Sequence, residues 1–200
     1  MSERISEFKG WSPSVAEARL PAGLRGAAIV LGGSVLAAVC AHVAVPLWFT
    51  PVPLSLEPLA VLLLGLWLSP RLAATTLAAY LAEGALGLPV FAPVAGMASG
   101  MAHLLGPTGG YLVAYPAAAA LISFLWRRMG RGFRGALLAG AVGDLAILGC
   151  GGLWLAVWVH EPVAKALGMG VAPFLPGDAL KVAAAAGAAA GWVRIRRLRS

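Results

Sequence analysis

The hydrophobic pattern divides the chain into six apolar segments, at about residues 24–45, 58–68, 72–88, 111–126, 135–159 and 174–193. The connections between them are polar or rich in glycine and proline. A helix needs about 20 residues to cross a bilayer, so the second segment is too short to span alone; it must be tilted, partly re-entrant, or extended through Leu54. The pattern predicts an all-α membrane protein, a bundle of about six transmembrane helices. Residues 1–22 form an N-terminal tail, 23–193 the membrane domain, and 194–200 a basic C-terminal tail.

Composition narrows the picture. The chain is 60% hydrophobic and 12% charged, with a mean hydropathy of +0.86, too little polarity to cover a soluble domain. The 26 glycines and 14 prolines interrupt apolar helices, which membrane bundles tolerate where broken backbone lines a cavity. Cys40 and Cys150 both fall in apolar stretches, and neither a disulfide framework nor a metal site can be built from them.

The net charge of +7 is distributed very unevenly. With the N-terminus inside, the cytoplasmic parts hold Arg4, Lys9, Arg19, Arg25, Arg71, Arg127, Arg128, Arg131, Arg134, Arg194, Arg196, Arg197 and Arg199, which is 13 of the 15 basic residues. This is the positive-inside asymmetry, and it places both termini in the cytoplasm. The charge therefore reports topology and makes anionic lipid headgroups, not nucleic acid, the default partner. The polar opening stretch has no apolar core of its own and reads as a cytoplasmic tail, not a cleaved signal peptide. Connections 47–57, 89–110 and 160–173 then lie outside. The second of these is long, nearly uncharged and rich in glycine, which suits a lid folded over the bundle.

Asp178 and Lys181 stand at the mouth of the last apolar segment. Residues i and i+3 share a helix face, and a charge within a bilayer costs roughly 2.5–3.5 kcal/mol unless it is paired or lines a cavity. They read as a ligand site or as a structural ion pair. Glu83 approaches from the third segment at similar depth, either as a ligand group or to fill a polar gap. Asp144, nearer the membrane centre, reads as a packing residue or a partner for Lys181. Tyr111 and Tyr115 lie near such a pocket or act as interface anchors. Trp48, Trp154 and Trp158 fit an outer aromatic belt, and Trp126 and Trp192 an inner one. His103 and His160 lack partners at metal-ligand spacing and read as surface residues. Residues 106–110 are not followed by Gly-Lys-Ser/Thr, so they form no phosphate loop; no ATP site, catalytic group or cofactor is expected in this chain. Ser34, Ala37, Ala38 and Ala41 recur at intervals of four on the first helix, allowing close helix approach either to a partner or within the bundle.

Three ordered stretches carry a resemblance. Gly87-Leu88-Pro89-Val90-Phe91-Ala92, then Gly106-Pro107-Thr108-Gly109-Gly110-Tyr111-Leu112, then Phe174-Leu175-Pro176-Gly177-Asp178-Ala179-Leu180-Lys181 resemble the signatures of the BioY family, the biotin-specific S components of energy-coupling-factor (ECF) transporters. Pro46-Leu47, Pro51-Val52-Pro53 and residues 59–65 extend the likeness. Glu57-Pro58 departs from it, since Gln-Thr is commoner there. The resemblance implies a multi-pass protein of the bacterial plasma membrane that captures biotin from outside. It would dock on a transmembrane coupling subunit whose two ATPase subunits hydrolyse ATP. It also implies Asp178 and Lys181 as site residues, beside which Glu83, Phe91, Tyr111 and Tyr115 are expected to bind the substrate, and it implies that the small residues of the first helix face the coupling subunit. A solitary or oligomeric biotin facilitator, an S component for another vitamin, and a non-transport membrane protein are the other readings.

Overall fold

The computed structural model describes residues 21–198 apart from Ala95 and Ala98; the predicted tail 1–20, with Arg4, Lys9 and Arg19, and the final two residues lie outside the described part. Six principal helices run up and down: α1 (Ala22–His42), α2 (Glu57–Trp67), α3 (Pro70–Ala85), α5 (Gly109–Arg128), α6 (Phe133–Val159) and α8 (Leu175–Leu198). Two short helices, α4 (Met101–Leu104) and α7 (Val163–Gly170), lie in connections that the sequence left as loops. Among the described residues, three helices are long and apolar enough to cross a membrane unaided, Gly23–His42, Gly109–Arg128 and Phe133–Val159.

Local signals explain the boundaries. Ser69 caps α3, its side chain accepting the Leu72 N–H at 3.4 Å just before Pro70, a residue suited to the first turn. The α5–α6 turn runs through Gly130 and Arg131, both with positive φ. It is closed by the Trp126 indole N–H donating to the Gly132 carbonyl at 3.2 Å. Trp126 is thus buried at a helical hairpin and not displayed in an interfacial belt, a correction to its sequence reading.

The short second segment resolves as an extension through Leu54. Strand β2 (Leu54–Ser55) pairs antiparallel with β1 (Ala44–Val45), and α2 starts only after it. With 11 residues, α2 is about 16 Å long, half a membrane. Glycine contacts fix the depth at which it begins. A side chain added at Gly140 of α6 would meet Val182 of α8 at 3.3 Å and Leu62 of α2 at 3.5 Å. One added at Gly143 would collide with Ile122 of α5 and approach the Ala118 carbonyl. Running the antiparallel helices from these levels brings Asp144, Asp178, Glu57 and Tyr115 to one depth. That level lies about 16 Å from the start of α6 and about 22 Å from its end. Both α2 and α8 therefore begin near mid-depth of the bundle.

Two clusters fill the interior. Toward the arginine-bearing end, Leu62, Leu66, Ile122, Trp126, Ala136, Ala139, Val182, Ala185, Ala186 and Ala189 pack together, with the buried Ser123 hydroxyl beside them donating to the Leu68 carbonyl at 2.7 Å. Toward the other end the core is aromatic and aliphatic, built around Leu77, Tyr80, Phe91, Tyr111, Leu112, Tyr115, Ile147 and Phe174. The outward side of α1 shows Leu31, Val35 and Val39 at about 60% exposure, as expected of a surface that meets hydrocarbon. Ser34, Ala37 and Ala41 face the opposite way and are buried within the bundle, packed with α2 and α3. Of the small-residue stripe, Ser34, Ala37 and Ala41 are therefore packed internally, while Ala38 is only half-buried.

Candidate binding site

The sunken starts of α2 and α8 leave a cavity on the side away from the arginines. Its empty space, mouth included, is about 540 Å³. Three connections wall it: 43–56 supplies Val52, Pro53 and Ser55; 86–108 supplies Ala92, His103 and Thr108; and 171–174 supplies Phe174.

The floor is polar. Asp178 lies in the first turn of α8, where free backbone N–H groups favour an anion. Lys181 donates to Asp178 Oδ1 at 2.7 Å, and both side chains are almost wholly buried. Such a pair barely repays its desolvation, so it is weak evidence of stabilisation and better evidence of a site. Glu57, 4% exposed, occupies the first turn of α2 in the same way. Its backbone N–H bonds Ser55 Oγ at 3.3 Å. Its Oε1 lies 2.6 Å from the Tyr80 hydroxyl, which is also 2.9 Å from the Val90 carbonyl, and the Tyr115 hydroxyl faces the same carboxylate. Asp144 of α6 completes the ring, 5% exposed, with its Oδ1 buried and without a hydrogen-bond partner. A second such atom, Thr108 Oγ1, sits near the mouth.

The walls are aromatic and rigid. Tyr111 commits its hydroxyl to the Gly170 carbonyl at 2.5 Å, tying α5 to α7 and leaving its ring to face the cavity. That ring packs on α6 at Gly151, where any side chain would collide with it. Trp154 pins connection 86–108 by donating to the Gly106 carbonyl at 2.8 Å. Phe91 stands behind the lining. Its ring packs edge-on against Tyr80, with ring centres 5.3 Å apart, and at a tilt against His103, 5.4 Å apart, so it props up His103, which lines the cavity, and Tyr80, which holds Glu57.

The structure brings together Asp178, Lys181, Tyr111 and Tyr115 of the residues singled out in the sequence. It does not bring in Glu83, whose carboxylate accepts from Ser34 Oγ across the α1–α3 contact. That helix face points away from the cavity. His103, expected at the surface, is instead 5% exposed and lines the cavity, because α4 folds its loop inward. Sequence reasoning left Glu57 in doubt and set Asp144 down as packing or as a partner for Lys181, although both line the cavity. The available signal was their charge in apolar surroundings, the same one that picked out Asp178.

A helical membrane bundle with a polar-floored, aromatic-walled cavity reached from one end is built to hold one small, elongated molecule. The chain belongs to the BioY family, whose profile matches residues 12–198. It is 42% identical over 135 residues to a probable biotin transporter BioY of Pyrococcus horikoshii, covering 68% of this chain and 76% of that one. It is 34% identical to the biotin transporter BioY of Thermotoga maritima, covering 84% and 90%. The fold matches the crystal structure of an S-component for biotin from an ECF-type ABC transporter with a TM-score of 0.75, at 26% identity, over 88% of this chain and 92% of that one.

Proposed function

We propose that this chain is a biotin-uptake protein, the membrane subunit that captures biotin for an ECF transporter. The observation that carries this reading is the buried, polar floor of Asp178, Lys181, Glu57 and Asp144 beneath an aromatic cavity, in a chain whose relatives are named biotin transporters. Biotin offers ureido N–H groups, a ureido carbonyl, an apolar fused ring and a carboxylate. Asp178 and Lys181 supply an acceptor and a cationic donor, Tyr111 and Phe174 enclose the apolar middle, and the loops exclude water.

The arginine-bearing end faces the cytoplasm, since cytoplasmic segments gather Lys and Arg, so the cavity opens to the exterior. Crossing the membrane then needs a coupling subunit and the ATP hydrolysis of partner ATPases. Calorimetry on detergent-purified protein tests the capture step. Biotin should bind saturably, and Asp178→Asn and Lys181→Ala should each weaken it by at least about 1.5 kcal/mol, the low end for a hydrogen bond to a charged group. Unchanged affinity in both variants would remove the site. Cysteines at Ser99 and Lys165 should react with an impermeant reagent on intact cells while one at Arg131 stays protected, and the reverse pattern would invert the topology.

A further inference from the structure

The three carboxylates of the floor are not equivalent. Asp178 has Lys181 and the N-terminus of α8. Glu57 has Tyr80, Tyr115 and the N-terminus of α2. Asp144 has no such bond: the Lys181 charge is felt there, but its ammonium is committed to Asp178. Asp144 lies in the middle of α6, where no free N–H ends are available, and its Oδ1 is buried, unpartnered and part of the cavity lining. A buried acceptor without a donor is costly, and native structures keep one where something else supplies the bond.

Another cavity-lining atom in this condition is Thr108 Oγ1, at the start of α5. Asp144 is level with Ala118, because Gly143 packs there, so the two atoms are about 15 Å apart along the bundle. Between them the lining is Leu112, Tyr111, Ile147, Leu148 and Phe174. The unfilled demands are thus an acceptor at the deep end and a hydroxyl at the shallow end, with apolar surface between. Three carboxylates against one ammonium also make the floor the wrong place for a fourth carboxylate.

We propose that Asp144 is a substrate-binding residue that accepts an N–H of the ligand's ureido head, so that the head enters first and the carboxylate tail stays near the mouth at Thr108. This rests on the biotin reading above and extends it. It predicts specificity: the site favours a head group that donates two N–H bonds, tolerates a cationic head, and is comparatively indifferent to the charge of the tail.

The test is calorimetry of the wild type and Asp144→Asn with biotin, 2-iminobiotin, biotin amide, and biotin methylated on a ureido nitrogen. Monodispersity on gel filtration serves as the folding check. Asp144→Asn should weaken biotin by about tenfold or more, as for a lost charge-assisted bond. It should weaken the cationic 2-iminobiotin by a larger factor, and biotin amide by the same factor as biotin. Biotin binding to Asp144→Asn as tightly as to the wild type would overturn the proposal while leaving the biotin reading intact. So would a variant that binds the acid better while leaving the amide unchanged, which would put Asp144 against the tail. Failure of the wild type to bind biotin at all would instead remove the reading it rests on. Should Asp144→Asn not fold, the wild type alone decides. Methylation of either ureido nitrogen should cost more affinity than amidation of the tail, and the opposite order would refute the proposal.

Discussion

The two halves of this bundle are made of largely the same helices yet do opposite things. The half near the arginines is a plug, where Ala136, Ala139, Ala185, Ala186 and Ala189 let α6 and α8 close on Leu62, Leu66 and Ile122. The other half is a receptacle, because α2 and α8 have not yet begun there and loops stand in for them. Buried charge follows: among the described residues the buried acidic and basic side chains, Glu57, His103, Asp144, Asp178 and Lys181, all line the receptacle. Where helices run out, backbone N–H ends and loop carbonyls become available, and carboxylates can be held at a depth that would otherwise exclude them.

The sharpest way to break the comparison is at the boundary between the halves. Lys181→Met leaves Asp178 buried and unpaired, and should cost about 3–5 kcal/mol of stability. Combining it with Asp178→Asn should restore most of the loss in thermal unfolding while biotin binding stays weakened. A double variant as unstable as the single would show that the lysine belongs to the plug and not to the receptacle.

A step down in size, overpacking should act differently in each half. Ala189→Leu in the plug and Gly151→Ala beneath Tyr111 should each destabilise by about 1–3 kcal/mol. Calorimetry should find biotin affinity nearly unchanged in the first and reduced in the second, since only Gly151 positions a wall of the cavity. Equal losses of affinity would mean that the plug and the receptacle are one mechanical unit. The smallest effects belong to the α1–α3 contact. Ser34→Ala or Glu83→Gln removes one hydrogen bond, worth about 1 kcal/mol, and should leave the binding isotherm unmoved. A clear drop in affinity for Glu83→Gln would return that residue to the site.

Much of this was legible in the sequence. Apolar runs located all six principal helices to within a few residues, and the charge pattern of Asp178 and Lys181 marked α8. Depth was not legible. Periodicity reports which side of a helix is buried but not how far along its neighbours the helix begins, and the relative level of α2, α6 and α8 is set by contacts such as Gly140 with Val182 and Leu62. Without that level, Glu57 and Asp144 could not be placed on the same floor as Asp178. The direction of α1's small face was undecidable for a related reason. Ser34, Ala37 and Ala41 suit any close neighbour, and only the packed bundle shows that α2 and α3 take them.

The half-length of α2 also has an electrical meaning. With the proposed exterior-facing cavity open to water, the receptacle half would be an extension of the external solution, and membrane voltage would fall across whatever excludes water, which is the plug. A carboxylate ligand arriving at any level of the cavity therefore meets little of the field, and capture should be insensitive to voltage. The charge movement is then deferred to the crossing step that needs the coupling subunit, where an anion entering an inside-negative cell works against about 2.3 kcal/mol per 100 mV, roughly a 50-fold bias.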